Sequence, residues 1–313
     1  MNTIRILKPG ACTTVQDLGR PGFGPMGISP SGAADPVSLR IGNHLVGNPE
    51  NAAALEMTLS GGHFLFSGTT AIAVTGADFS ATLRGTRIPS YTSIAVDPGK
   101  VLEFGWTANV ARCYLCVQGG IDVPEFLGSR STHLLSGNGG YQGRELRKGD
   151  VLNVGPPPSN SRPRQLSGQG HANLVPRKVF RVTEGPQWSM FSESARRSFF
   201  GQTYRVSEVA DRTGIRLDGQ PLELSAGSDM LTEGVALGAI QIPRDGKPII
   251  LFVEQQTTGG YPKIANVIAA DLFRVGQLRT GDEIHFESVS LETARSLLLR
   301  LEAYLSSPEL IRE

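Results

Sequence analysis

Cysteine is scarce. Three thiols in 313 residues, Cys12, Cys113 and Cys116, are too few and too odd in number for a disulfide framework and suit a reducing compartment. Cys113 and Cys116 have the C-x-x-C spacing, but on a strand an offset of three turns the thiols to opposite faces, so chance explains it better than redox chemistry. Long apolar runs are missing too. None approaches the ~18 residues of a membrane span, and the opening MNTIRILKPG lacks the apolar core of a secretion signal. The expectation is a cytoplasmic protein with no membrane partner. Excess charge is also absent. Lys+Arg 30 against Asp+Glu 29 leaves a net charge of +1, too even for a protein that binds nucleic acid by counterion release.

Several chemical motifs are lacking. The histidines His44, His63, His133, His171 and His285 show no H-x-H or H-x₃-H spacing, which argues against a zinc or cupin-like metal site. There is no G-x-x-x-x-G-K-[ST], so any ATP step belongs to another chain, and no G-x-S-x-G nucleophile elbow. The five methionines include no M-K-M, the biotin-attachment signature. No bound cofactor is expected on this chain.

Glycine (38) and proline (20) are abundant instead, well above the usual combined share of about 12%, and many turns imply many short strands. With 39% hydrophobic and 19% charged residues the chain is neither disordered nor a coiled coil. Strand-like runs are His63–Phe66, Thr70–Thr75, Ser93–Val96, Val101–Phe104, Cys113–Val117, Val151–Val154, Val179–Thr183, Tyr204–Val206, Ile249–Val253 and Glu283–Phe286. Helices are few. Asp35-Pro36 reads as an N-cap with proline at the first helical position, followed by Val37, Ile41 and Leu45 and stopped by Gly47-Asn48-Pro49. Ser189–Phe200 suggests a second. A third starts near Ser290 and carries Leu291, Ala294, Leu298, Leu301 and Leu305 along one face. Lys263–Val275 has helical spacing at Ile264, Val267, Ile268 and Leu272, yet its first half suits a strand. Periodicity does not decide it, and the reading leans to a strand followed by a short helix.

The phrase L-R-x-G-D-x-[L/I] occurs twice, at Leu146–Leu152 and Leu278–Ile284, and Leu115-Cys116-Val117-Gln118 resembles Leu251-Phe252-Val253-Glu254. Two related β-domains in tandem would produce this; so would a common turn preceding two strands. The expected organisation is all-β, with domains over 1–160 and 177–313 joined by a linker over 161–176 that is rich in Pro, Ser and Gly.

Candidate polar sites have structural alternatives. Asp17 and Arg20 flank a glycine turn, where they would orient an amide or carboxylate through the guanidinium fork or simply brace the turn. Asp35 reads as a cap, Glu56 as a buried strut more readily than as an acid with a raised pKa, and Asp211-Arg212 as a surface ion pair. The strongest functional candidate is the loop from Gln256 to Lys263. Lys263 would anchor a carboxylate or stabilise an oxyanion, with Tyr261 and Thr258 adding hydrogen bonds and Gly259 and Gly260 allowing close backbone approach. Asp271 would pair with Lys263 or act as a base, and Arg130 would be the matching arginine of the first half.

The segments T-V-Q-D-L-G-R-P-G from Thr14, G-I-S-P-S-G-A-A-D from Gly27, N-H-L-V-G-N-P from Asn43, G-A-I-Q-I-P from Gly238 and Q-T-T-G-G-Y-P-K-I from Gln256 together resemble the biotin-dependent carboxyltransferase family, also called allophanate hydrolase subunit 2. The likeness runs from about Ile4 to Phe286 and implies two cyclophilin-like β-barrel domains whose polar loops share a cleft. It also implies membership of a multi-subunit complex with two partners, a kinase-inhibitor-like B subunit and an ATP-using A subunit, acting on a small amide. The member type most resembled is the C subunit of bacterial 5-oxoprolinases, hydrolases that open 5-oxo-L-proline to L-glutamate. The alternatives are the carboxyltransferase of a biotin-dependent urea or amide carboxylase, or a non-catalytic binder of a kinase-inhibitor-like subunit. Relatives often have Met where Ala34 and Thr213 stand and Asp where Glu254 stands.

Overall fold

Short β-branched and aromatic runs become strands nearly everywhere the sequence places them. The computed structural model describes residues 2–107, 109–158, 163–167, 177–224 and 230–312. Most of the expected linker lies outside the described residues; within it, Gln165–Leu166 forms a short strand. The chain divides into two compact units, one of Met1–Arg20, Ser31–Val175 and Tyr304–Glu313, the other of Pro21–Pro30 and Pro176–Ala303.

In the first unit the strands are β1 (Thr3–Lys8), β2 (Cys12–Gln16), β3 (Ala54–Thr58), β4 (His63–Phe66), β5 (Thr70–Gly76), β6 (Thr82–Leu83) and β7 (Thr86–Arg87). They continue with β8 (Ser93–Val96), β9 (Val101–Glu103), β10 (Arg112–Val117), β11 (Ile121–Asp122), β12 (Val151–Val154) and β13 (Gln165–Leu166). One sheet has the order β11-β12-β1-β4-β9-β6-β7, and a second has β2-β3-β10-β5-β8. The core draws Ile4, Ile6, Phe64, Phe66 and Leu102 from the first and Val15, Leu55, Met57, Ile72, Val74 and Leu115 from the second. Helix α1 (Pro36–Leu45) covers the outer face of the five-stranded sheet. Its cap is as the sequence implies: Asp35 Oδ1 accepts from Ser38 N at 2.9 Å and Pro36 opens the first turn. Gly42 lets the helix approach, because a Cβ there would lie 2.5 Å from Cys116 Sγ. Strand β10 has both faces buried. Cys113, Leu115 and Val117 enter the core, while Cys116 turns toward Leu39 of α1, so the two thiols do lie on opposite faces.

In the second unit β14 (Val179–Glu184), β15 (Tyr204–Val206), β16 (Gly214–Asp218), β18 (Ala239–Gln241), β19 (Ile249–Leu251), β21 (Lys263–Val267) and β22 (Glu283–Ser288) close a barrel of order β14-β21-β18-β19-β16-β15-β22. A parallel pair, β14 with β22, completes the closure. A two-stranded piece, β17 (Glu233–Gly234) with β20 (Thr258–Gly259), forms a separate ribbon. Strand β19 ends at Leu251 rather than Val253, since the chain turns at Val253-Glu254. The expected helix over 189–200 starts later. Phe191 is extended, Ser192 Oγ caps Ala195 N at 3.1 Å, and α2 spans Glu193–Gly201. From Lys263 the chain is a strand, then a 3-10 turn at Ala269–Asp271, then the short helix α3 (Leu272–Val275), as the sequence reading leans. The last helix, α4, spans Leu291–Leu305. Of its apolar stripe Leu305 is buried, Ala294, Leu298 and Leu301 are half-buried, and Leu291 is exposed.

The L-R-x-G-D repeat is a repeated structure. Asp150 Oδ2 accepts from Arg147 N at 2.7 Å, and Asp282 Oδ2 from Arg279 N at 2.8 Å. Gly149 N donates to Ile6 O and Gly281 N to Val206 O, each at 2.8 Å, from glycines at φ 96° and 86°. Ile6 N and Val206 N return bonds to Asp150 O and Asp282 O, each at 2.9 Å. The shorter likeness does not extend to the glycines: Gly119 and Gly120 have positive φ in a turn, whereas Gly259 belongs to β20.

Candidate functional site

In the first unit the turn after β2 gathers three of the sequence candidates around segment 126–131. Asp17 is buried, and its Oδ1 accepts from Gly19 N and Ser129 Oγ, both at 2.7 Å, and from Ser131 Oγ. Its Oδ2 accepts from Arg130 N at 2.6 Å. Four donors around one carboxylate satisfy a buried charge by hydrogen bonding. Arg20 is equally buried; its Nε donates to Phe126 O at 3.2 Å, its Nη2 to Ser131 O, and the guanidinium lies 5.3 Å from the Phe126 ring centre. Arg130 points its side chain outward to Glu125 (2.7 Å) and donates Nε to Val123 O. Nearby, Glu56 is a strut: its Oε2 accepts from Ala34 N at 2.8 Å and from the Tyr114 hydroxyl at 2.6 Å. Burial first, then the Glu56 and Asp35 charges, pushes the Tyr114 hydroxyl well above its ordinary range.

In the second unit the loop from Gln256 to Lys263 is held by different partners from those the sequence suggests. Lys263, at the start of β21, is buried and ion-pairs through Nζ with Glu233 of β17, whose carboxylate it holds below the usual range together with Gln187 Nε2. The expected pair of Asp271 with Lys263 is corrected. Five residues of strand at about 3.3 Å each carry the chain away between them, and Asp271, fully buried, is clamped by Arg181 Nε (2.8 Å) and Nη2 (2.5 Å) and by Arg274 Nη1 (3.1 Å). The expected surface ion pair of Asp211 with Arg212 is corrected as well. Arg212 is buried and its Nε meets Glu254 Oε1 at 2.5 Å, while Asp211 Oδ1 accepts from Thr213 N at 2.8 Å.

Beside this loop lies a cavity of about 180 Å³ lined by Thr213, Arg216, Gln241, Leu251, Gln256 and Tyr261 among others. The volume admits a small amide or several waters, each of which takes about 30 Å³ of the liquid. Tyr261 is 43% exposed at this site, and Thr258 and Gln256 are also exposed. Gly259 is constrained: a Cβ there would fall 2.5 Å from Gln241 Nε2. Among the described residues no cluster of three or more His, Cys, Asp or Glu is placed to hold a metal. A set of hydrogen-bond donors and acceptors around a small polar cavity can bind and orient an amide.

The family model for the carboxyltransferase domain, subdomains A and B, matches residues 26–288. The chain belongs to that family. Within the carboxyltransferase domain family it is 39% identical over 291 residues to the Escherichia coli (strain K12) protein named as the C subunit of 5-oxoprolinase, covering 93% of both chains. It is 37% identical to the urea amidolyase of Saccharomyces cerevisiae, covering 94% of this chain and 17% of that one. The solved structure of the Kluyveromyces lactis urea amidolyase superposes with a TM-score of 0.91 at 36% identity, across 97% of this chain and a fifth of that chain (20%). The departures from the carboxyltransferase family pattern now have places. Glu254 pairs with Arg212, and Thr213 lines the cavity and donates its hydroxyl to Asp211 at 2.5 Å.

The sequence reading missed Glu233, whose position beside Lys263 depends on the β17–β20 pairing that sets Glu233 opposite Gly259. It also missed Gln241, although G-A-I-Q-I-P was among the segments that carried the family resemblance.

Proposed function

We propose that this chain is the C subunit of an ATP-dependent 5-oxoprolinase, which opens 5-oxo-L-proline to L-glutamate in concert with a kinase-inhibitor-like partner and an ATP-using partner in the cytoplasm. The observation that carries this reading is the near full-length 39% identity to a protein of that name; no helix among the described residues is long and apolar enough to cross a membrane, which agrees with it. A lactam is resonance-stabilised and hydrolyses slowly, so its opening is coupled to ATP. Phosphorylation of the lactam carbonyl oxygen on the ATP-using partner makes the carbon electrophilic; one water adds, the C–N bond breaks as the nitrogen takes a proton to give the free amine and an acyl phosphate, and a second water hydrolyses the acyl phosphate to the carboxylate and inorganic phosphate.

In this reading the chain contributes binding and charge placement. Tyr261 contacts the ligand at the cavity, Gln256 covers the cavity wall until the ligand enters, Thr258, Gly259 and Gly260 form the adjoining loop, and Lys263 attracts the ligand carboxylate by exchanging it for Glu233. Asp271, clamped by Arg181 and Arg274, braces the turn that follows β21. Asp17, Arg20 and Arg130 organise segment 126–131 of the first unit. The test is reconstitution with both partners, following ATP hydrolysis and glutamate release with 5-oxoproline and urea offered side by side. Turnover with 5-oxoproline that requires this chain supports the reading. Activity on urea alone, dependent on carboxybiotin, replaces it with the second reading, a biotin-dependent urea carboxyltransferase, which the fit to the urea amidolyase structure favours. Binding to the kinase-inhibitor-like partner with no turnover in any mixture would leave a non-catalytic role.

A further inference from the structure

Gln241 is the unusual wall of the second-unit cavity. It lies on β18 opposite Lys263 of β21, where the register shifts by a bulge, and it is 1% exposed. Its Oε1 accepts from Gln256 Nε2 at 3.2 Å, and its Nε2 has no hydrogen-bond partner among the described residues. A buried amide nitrogen without an acceptor is destabilising and persists where something else completes it. Gly259 keeps that amide in place by having no Cβ to strike Nε2. The group covering Oε1, by contrast, belongs to an exposed residue, Gln256, and can swing into solvent.

With Gln256 withdrawn, Gln241 offers a donor and an acceptor side by side in one plane. A ligand group that satisfies both at once is an amide whose N–H and C=O lie on the same side of the C–N bond. A lactam ring enforces that arrangement, and urea has it by symmetry; an open-chain secondary amide, held trans, does not. We propose that Gln241 is a specificity-determining residue that reads the cis-amide edge of the ligand through two hydrogen bonds, Nε2–H to the ligand carbonyl and ligand N–H to Oε1, and that Gln256 fills the second position when no ligand is bound. This rests on the reading of the chain as handling a lactam or urea-type amide, and it names how that amide is recognised.

The test measures binding of 2-pyrrolidone and N-methyl-2-pyrrolidone to the full chain, alone and with its partners, by calorimetry or ligand-observed NMR. The two lactams differ in the N–H that Oε1 would accept, so the wild type binds the unmethylated lactam about tenfold or more tightly. Gln241→Met, similar in length and without either amide group, loses that preference while keeping its circular dichroism spectrum. Gln256→Ala keeps the preference and binds 2-pyrrolidone more tightly, since the internal competitor is gone. Equal binding of the two lactams by the wild type, binding of neither, or a preference intact in Gln241→Met overturns the proposal. The wild-type comparison needs no variant to fold. If 5-oxoproline is turned over but the lactams are not distinguished, the recognition proposal falls and the 5-oxoprolinase reading stands. A clear preference for the N–H lactam without turnover has the opposite meaning.

Discussion

Replacing Asp17 by alanine separates its two roles, support and substrate contact. In the folded chain its carboxylate receives hydrogen bonds from Gly19 N, Ser129 Oγ, Ser131 Oγ and Arg130 N. Hydrogen bonds to a charged group contribute about 1.5–3 kcal/mol each, so four represent about 6–12 kcal/mol of gross interaction. Keeping a carboxylate buried costs several kcal/mol in desolvation, which the substitution relieves, leaving a net loss of about 3–5 kcal/mol. At about 2–4 °C per kcal/mol for a unit of this size, the melting midpoint should fall by roughly 6–20 °C. Asp17→Asn keeps the shape but turns a donor toward one of the existing donors, and it should fall in the same direction by less. Differential scanning calorimetry beside the reconstituted turnover assay reads both effects. A variant Asp17→Ala that melts within about 3 °C of the wild type yet has lost turnover would refute the argument, because the carboxylate would then be serving the ligand rather than the fold.

Gly42→Ala should destabilise the first unit by about 1–3 kcal/mol, since its Cβ would sit 2.5 Å from Cys116 Sγ, and Cys116→Ala in the same chain should recover part of the loss in a urea titration. Burial raises the thiols of Cys113 and Cys116 far above their ordinary range, so native alkylation near pH 8 should label Cys12 alone; labelling of all three without denaturant would contradict the packing around β10. Arg144 chiefly, with the Arg147 N–H, holds the Asp150 carboxyl below its usual value of 3.8, so the stability it contributes is complete above that value and is lost as pH falls through the lower folded-state value. Asp150→Asn should therefore flatten the acid limb of the stability curve and cost about 1–2 kcal/mol at neutral pH; an unchanged limb counts against the pair. Lys263→Ala should lower 5-oxoproline turnover at least tenfold with a modest change in melting, because its partner Glu233 is half-exposed and can rehydrate; full turnover in that variant removes Lys263 from the site.

Local preferences were legible in the chain itself. The Asp35-Pro36 cap, the strand-then-helix order of Lys263–Val275, the opposed thiols of β10 and the paired L-R-x-G-D turns all depend on interactions within a few residues, which sterics and capping fix wherever the segment ends up. The family membership was legible for the same reason, carried by short segments spread along most of the chain. Partnership was not. Asp17 finds three of its four donors more than a hundred residues away, Lys263 takes Glu233 rather than Asp271, Asp271 takes Arg181 ninety residues back, and Arg212 is buried by Glu254 instead of lying on the surface. Each of those choices is made when sheets close and bring distant strands into register. A charged side chain then pairs with whatever opposite or hydrogen-bonding group the closure sets beside it, and no rule of sequence spacing encodes which one that will be.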